Sequence, residues 1–175
     1  MKLPFIVLTI LFLSPTFGQS NKKLSLLIQA QSNITLKDYT KGNNPWSLGL
    51  GLQSSFLLKS KIHPTIELTG DLYLVDDKVL RSDSTGIRYK DVRTMVNIFV
   101  GASITPIQNI YLSVLCGPSF AGEQALFGLK PSLGVFFSKK QKILAKLSYL
   151  TVFNRGNLVK QNFNSISISL GLKLY

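Results

Sequence analysis

The chain has 175 residues, carries 20 Lys and Arg against 8 Asp and Glu, and has a formal net charge of +12. That length fits one domain, and a single cysteine, Cys116, excludes an internal disulfide and a cysteine-based metal site. The apolar residues are spread over short segments, so no stretch after Leu13 is long and apolar enough for a membrane-spanning helix.

Lys2 is followed by the mainly apolar run Phe5 to Leu13, then Pro15 and Thr16-Phe17-Gly18. That is the layout of a secretory signal peptide, with cleavage expected after Gly18. The run is too short to span a bilayer as a helix, which takes about 20 residues. No cysteine lies nearby, so a lipid-modified N-terminus is not expected. The division is residues 1–18 as signal peptide and 19–175 as one domain. The exported chain then has about 157 residues and a net charge of about +11.

Eight segments of roughly ten residues follow, each alternating with period two, as a strand with one apolar and one polar face does. The first, Lys23 to Gln31, sets Leu24, Leu26, Ile28 and Ala30 against Ser25, Leu27, Gln29 and Gln31. The second, Ser47 to Leu58, sets Leu48, Leu50, Leu52, Phe56 and Leu58 against Gly49, Gly51, Gln53 and Ser55. In the third, Thr65 to Val75, Ile66, Leu68, Leu72 and Leu74 oppose Thr65, Glu67, Thr69, Asp71 and Tyr73. In the fourth, Lys90 to Ile104, Val92, Val96, Ile98, Val100, Ala102 and Ile104 oppose Asp91, Arg93, Asn97, Gly101 and Ser103.

The fifth, Ile110 to Phe120, alternates more loosely, with Leu112, Val114 and Cys116 against Tyr111, Ser113 and Gly117. The sixth, Phe127 to Phe137, sets Phe127, Leu129, Leu133, Val135 and Phe137 against Gly128, Lys130, Ser132 and Gly134. The seventh, Ile143 to Phe153, has a less clean polar face: Leu144, Leu150 and Val152 fall on it beside Lys146 and Ser148. The last is the most regular. From Ser165 to Leu174, Ile166, Ile168, Leu170, Leu172 and Leu174 alternate with Ser165, Ser167, Ser169, Gly171 and Lys173, and Tyr175 ends the chain.

These features predict an all-β fold, an eight-stranded antiparallel up-and-down transmembrane barrel with its apolar face outward. The inward set would be Gln29, Gln53, Glu67, Asp71, Arg93, Asn97, Lys130, Lys146, Ser167 and Ser169. Charges of both signs would pair there, because an unpaired buried charge is costly. The recurrent polar-face glycines suit a narrow interior.

The connectors place long polar stretches at Ser32–Trp46, Asp76–Tyr89 and Asn154–Asn162, and short ones at Lys59–Pro64, Thr105–Asn109, Ala121–Leu126 and Ser138–Lys142. Long loops outside and short turns in the periplasm are the expected arrangement. The proposed periplasmic side holds Lys22, Lys23, Lys59, Lys61, Lys139, Lys140 and Lys142 without an acid. Those lysines fit either lipid phosphates or ordinary solvated turns. A basic chain raises nucleic acid as a partner; export and the spread of the lysines argue against it. Ten aromatics fall near segment ends, as an interfacial girdle would have them: Trp46, Tyr73, Tyr89, Tyr111, Phe120, Phe127, Phe137, Phe153, Phe163 and Tyr175.

The stretch Leu115-Cys116-Gly117-Pro118-Ser119-Phe120, the stretch Leu147 to Asn154 and the closing strand resemble the small eight-stranded outer-membrane barrels of the OmpX and OmpA-barrel kind. They are closer still to the PorT-like outer-membrane β-barrel domain family. The resemblance runs over the whole exported chain, by pattern more than by identity. It implies an outer-membrane location in a Gram-negative cell, contact with outer-membrane lipids and insertion by the barrel-assembly machinery. The assembly signal would lie in Leu170, Leu172, Leu174 and Tyr175. In that family the terminal aromatic is in phase with the outward residues; here Tyr175 is out of phase and Leu174 takes the place.

Little points to catalysis, and no cofactor is expected. The only histidine, His63, falls in a proposed turn with no acid near it in sequence, whereas a hydrolase triad needs a base set on a nucleophile. Glu67 and Asp71 would lie about 13 Å apart along one strand, too far for a paired-carboxylate site. Ion pairing to Arg93, Lys130 or Lys146 is the expected role. Cys116 is expected to pack facing lipid. The expected function is a non-enzymatic outer-membrane barrel that presents loops for surface interaction or supports an envelope or secretion assembly. Two alternatives remain open at this point: a narrow solute channel, and a soluble lipid carrier of the lipocalin type with the faces reversed.

Overall fold

The computed structural model describes residues 24–36, 46–58, 61–74, 94–107, 109–121, 124–137, 141–153 and 162–174. They form eight strands: β1 (Leu24–Leu36), β2 (Trp46–Phe56), β3 (Ile62–Leu74), β4 (Thr94–Ile107), β5 (Ile110–Ala121), β6 (Gln124–Phe136), β7 (Ile143–Phe153) and β8 (Phe163–Lys173). Each pairs antiparallel with its neighbours in sequence, and β8 closes on β1. The expected signal peptide lies outside the described residues.

Closure fixes the shape. Consider one lateral row of partners: Leu26, Ser54, Ile66, Val100, Cys116, Leu129, Thr151 and Asn164. Asn164 returns to β1 at Leu36, ten residues from Leu26. A stagger of that size around eight strands tilts them about 40° from the axis. The strand interior is then just wide enough for side chains to fill it.

Alternation sends one face of every strand into that interior. Outward stand residues such as Leu48, Leu50, Leu68, Val100, Val114, Leu147, Ile168 and Leu170, all exposed. Leu50 is 69 % exposed. Inward stand Gln29, Glu67, Asp71, Asn97, Lys130 and Lys146, all buried. A soluble barrel would carry these faces the other way round, so the lipid-carrier alternative fails on the direction of the faces. Among the described residues no helix is long and apolar enough to cross a membrane.

Several boundaries differ from those expected. β1 runs on to Leu36, so Ser32–Leu36 belong to a strand, and Trp46 opens β2. The connector there is residues 37–45. In the last part of β1 the polar inward residues Asn33 and Thr35 resemble a loop in composition, while Ile34 and Leu36 keep the outward phase. β3 starts at Ile62, so His63 and Pro64 are strand residues and not part of a turn. His63 Nδ1 accepts a hydrogen bond from the Leu58 backbone N–H at 3.3 Å. β4 extends to Ile107 and β6 begins at Gln124, which shortens both adjoining connectors. Residues 90–93 lie outside the described set.

The girdle also needs correction. Trp46, Phe120, Phe127 and Phe137 face outward and are exposed, but Tyr73, Tyr111 and Phe163 are buried inside the barrel. Tyr73 and Phe163 meet edge to face at 5.5 Å between ring centres. They belong to an apolar cluster with Met95, Phe99, Leu115, Leu150 and Val152 toward the loop end. A smaller cluster of Leu27, Tyr111 and Leu144, with Phe136 against it, lies toward the end that holds the chain termini. The apolar residues that interrupt the polar face of β7 are therefore parts of two plugs. Tyr89 and Tyr175 lie outside the described residues.

Two prolines interrupt the ladder. The β4–β5 partners skip from Asn97–Ser119 to Val100–Cys116, across Pro118. The β6–β7 partners skip from Leu129–Thr151 to Ser132–Ser148, across Pro131. Proline has no N–H to donate. Beside Pro118, Gly117 has φ +156°, and a Cβ there would run into the Ile98 carbonyl oxygen. Gly117→Val is therefore expected to cost about 3 kcal/mol through overpacking and backbone strain. Urea unfolding of the barrel in micelles measures it.

Candidate functional site

The lumen between the two plugs holds the polar cluster, and its members come from separate strands. Glu67 on β3 is 0 % exposed and sits between two lysines. Its Oε1 accepts from Lys130 Nζ of β6 at 2.6 Å, and its Oε2 accepts from Lys146 Nζ of β7. Lys146 also donates to Gln53 Oε1 of β2 at 3.1 Å, and Gln53 Nε2 donates to the Tyr111 hydroxyl of β5 at 3.0 Å. Lys130 donates to Gln31 Oε1 of β1 at 3.3 Å.

Asp71 is held differently from the ion pairing expected of it. Its Oδ1 accepts from Gln31 Nε2 at 2.6 Å and from Asn33 Nδ2 at 2.7 Å. Its Oδ2 accepts from Asn97 Nδ2 of β4 at 3.3 Å. Amides thus do the work at Asp71 that ammonium groups do at Glu67. Gln31 links the two groups, its nitrogen donating to Asp71 and its oxygen accepting from Lys130, which in turn holds Glu67.

One continuous chain of contacts runs from Asn97 through Asp71, Gln31, Lys130, Glu67, Lys146 and Gln53 to Tyr111. It touches every strand from β1 to β7. Among the described lumen residues in this chain, two carboxylates face two ammonium groups, so the formal charges cancel. A buried ion pair gives little net stability compared with an apolar replacement, but losing one partner leaves an uncompensated charge and costs several kcal/mol. The network therefore fixes which strands may lie opposite one another. Wrong registers would strand a charge in the interior.

Of the sequence-derived set, Glu67, Asp71, Asn97, Lys130 and Lys146 come together; Arg93 lies outside the described residues. Gln31, Asn33 and Tyr111 join the network without having been in the expected inward set. Asn33 falls in the stretch Ser32–Trp46, which reads as a connector by composition. Its odd position in phase with Gln29 and Gln31 was the usable signal. Leu170, Leu172 and Leu174 stand outward at the end of the closing strand and are exposed, whereas Tyr175 lies outside the described residues.

Among the described residues nothing sets a base on a nucleophile. Thr65 Oγ1 does meet Ser55 Oγ at 3.0 Å and Ser103 Oγ at 2.8 Å, but these are hydroxyl contacts below the charge network. Among the described residues no three His, Cys, Asp or Glu side chains gather to hold a metal ion. Cys116 is a free, half-buried thiol on the outward phase of β5.

No family model matches the chain, and no curated protein matches it. Solved structures do. The crystal structure of Neisserial surface protein A aligns with a TM-score of 0.54 at 12% identity, over 89% of this chain and 98% of that one. The Yersinia pestis outer-membrane protein Ail, in a phospholipid bilayer nanodisc, aligns with a TM-score of 0.53 at 10% identity, over 86% of this chain and 99% of that one. A de novo designed transmembrane β-barrel aligns with a TM-score of 0.51 at 6% identity, over 89% of this chain and 98% of that one. The fold is that of the small eight-stranded outer-membrane β-barrels.

Proposed function

We propose that this chain is a non-enzymatic integral protein of the bacterial outer membrane. Its loops opposite the termini would meet a surface ligand or a partner in an envelope assembly. The observation that carries this reading is the inverted packing: an apolar exterior around a filled, polar, hydrogen-bonded interior. The exterior suits lipid. Among the described residues the interior is packed, with Phe99 and Glu67 both fully buried in it, which leaves little room for a solute. That argues against the channel alternative. What remains free to interact is the loop set 37–45, 75–93 and 154–161.

Export fits the same reading. Residues 1–18 would be removed, and the closing strand would present outward Leu170, Leu172 and Leu174, with Tyr175, to the barrel-assembly machinery. A PorT-like membership belongs to this proposal as well. Lipids would be the constant partners, and nucleic acid would not be one.

An epitope tag tests the arrangement. Inserted within 76–89, it is expected to bind antibody on intact cells. Inserted at residue 59 or 60, it should bind only after the outer membrane is permeabilised. Tags hidden at both places, or exposed in the reverse pattern, would overturn the proposal. Intact mass of the purified protein should also show the first 18 residues missing.

A further inference from the structure

Among the described residues, eight are glycines, and seven of them have a steric reason to be glycine. A Cβ at any of the seven would come within 2.8 Å of another atom. Gly70 is the exception, because a Cβ there would meet nothing within 4 Å. It stands exposed on the outward phase of β3, between Leu68 and Leu72. The strand partners run unbroken through it on both sides, so no bulge accounts for it. Glycine weakens a strand interior, and without a bulge or a bend it marks a place where something else comes close.

The missing side chain opens a groove of about 400 Å³ in the outer wall. That volume falls among small-ligand pockets, which run from about 300 to 1,000 Å³. Gly70 lies between its strand partners Leu50 and Val96, and Ile28, Leu52 and Leu68 complete the side-chain walls. All five wall residues are apolar. Leu50 has only Ala30 and Gly70 as lateral partners and is left 69 % exposed. The walls come from four consecutive strands. At about 4.8 Å per strand, the groove extends about 14 Å along the hydrogen-bonding direction.

Shape and depth decide the occupant. The groove is long, and at Gly70 it is one side chain wide, so it takes a linear hydrocarbon better than a compact group. With no polar wall residue, it offers nothing to a headgroup. Gly70 is four residues from the loop end of β3 and eight from the other end. With a rise of about 3.3 Å per residue and a tilt of about 40°, it lies about 10 Å below the loop-side rim. A chain hanging from the loop-side leaflet passes that depth. A second barrel would present a convex wall, which touches along a strip and leaves the floor empty. An empty floor forfeits dispersion contacts that a chain lying in it recovers.

We propose that the Gly70 groove is a binding site for one acyl chain of a lipid in the loop-side leaflet. This rests on the lipid-facing exterior of the outer-membrane reading and goes beyond it, because it assigns one place on the wall where a chain stays.

Photo-cross-linking tests the site. The exported chain is folded in phosphatidylcholine vesicles whose lipid carries a diazirine midway along one acyl chain. After irradiation, peptide mass spectrometry places the adducts. Ile28, Leu52, Leu68 and Val96 are expected to carry several-fold more adduct than Val114, Leu147 and Ile168, which are exposed midway along β5, β7 and β8. Gly70→Leu fills the groove and should bring the first set down to the level of the second. Even labelling of both sets in the unaltered chain, or an excess that survives Gly70→Leu, would overturn the site and leave the lipid-facing exterior standing. No labelling of either set would overturn both. Groove residues labelled less than the others, and recovering as the protein is diluted in the vesicles, would make a second barrel the occupant and overturn the acyl-chain site. The unaltered chain alone separates even, absent and recovering labelling, so the test holds even if Gly70→Leu fails to fold.

Discussion

Glu67→Gln is expected to lower the stability of the folded barrel by about 3–5 kcal/mol. The reason lies in what remains. Lys130 and Lys146 stay buried, both reach toward position 67, and only one carboxylate compensated them there. Glutamine keeps the shape and one acceptor, so packing changes little; the loss is the counter-charge. Removing the lysines as well should reverse much of it. Glu67→Gln/Lys130→Met/Lys146→Met replaces the trio with groups of similar size that need no charge partner, and such replacements are often neutral or better. Urea unfolding in lipid vesicles, followed by the fluorescence of Trp46, gives both values. Trp46 is the only tryptophan and is exposed on the outer face at the start of β2. If Glu67→Gln costs under about 1 kcal/mol, the lysines are reached by water and the lumen is not the sealed interior described.

Leu50→Arg carries the second large effect. Leu50 faces outward midway along β2, and an arginine at the bilayer midplane of a barrel costs roughly 2–4 kcal/mol. The same change at Leu58, beyond the end of β2, should cost about 0–1 kcal/mol, because the penalty falls toward the interface. The depth dependence is the discriminating feature. On a water-facing surface, both arginines would be nearly neutral. Equal small effects at the two positions would contradict a lipid-facing exterior.

The fold was legible because the signal repeats. Period-two alternation recurs in all eight segments, and in β8 it runs unbroken from Ser165 to Leu174. Which face turns inward was only favoured by the sequence, through the shared phase of Glu67, Asp71, the two lysines, the serines and the glycines; the reversed arrangement stayed open until the burial pattern decided it. The ends were harder. Asn33 and Thr35 read as loop by composition, yet their phase continues that of Gln29 and Gln31. Ile62 and His63 look like a turn because Pro64 follows them, but proline is tolerated near the first residues of a strand.

The inner plugs were nearly invisible in the sequence. An aromatic at a strand end reads as a girdle residue, and only its phase separates Phe163 inside from Phe127 outside. Met95 and Phe99 stand in the polar phase of β4 between outward valines and isoleucines, so a long apolar run hides them. The partners of each charge could not be read at all. Glu67 meets Lys130 and Lys146 across the lumen, 63 and 79 residues away in sequence, and that pairing depends on the shear of the closed barrel.

The most direct test of the central claim, a closed barrel with its apolar face in lipid, is membrane fractionation combined with gel mobility before and after boiling. The account predicts that the chain stays in the outer-membrane fraction through a high-salt wash, and that its unboiled form migrates differently from the boiled one. Recovery in the soluble periplasmic fraction without detergent would contradict it.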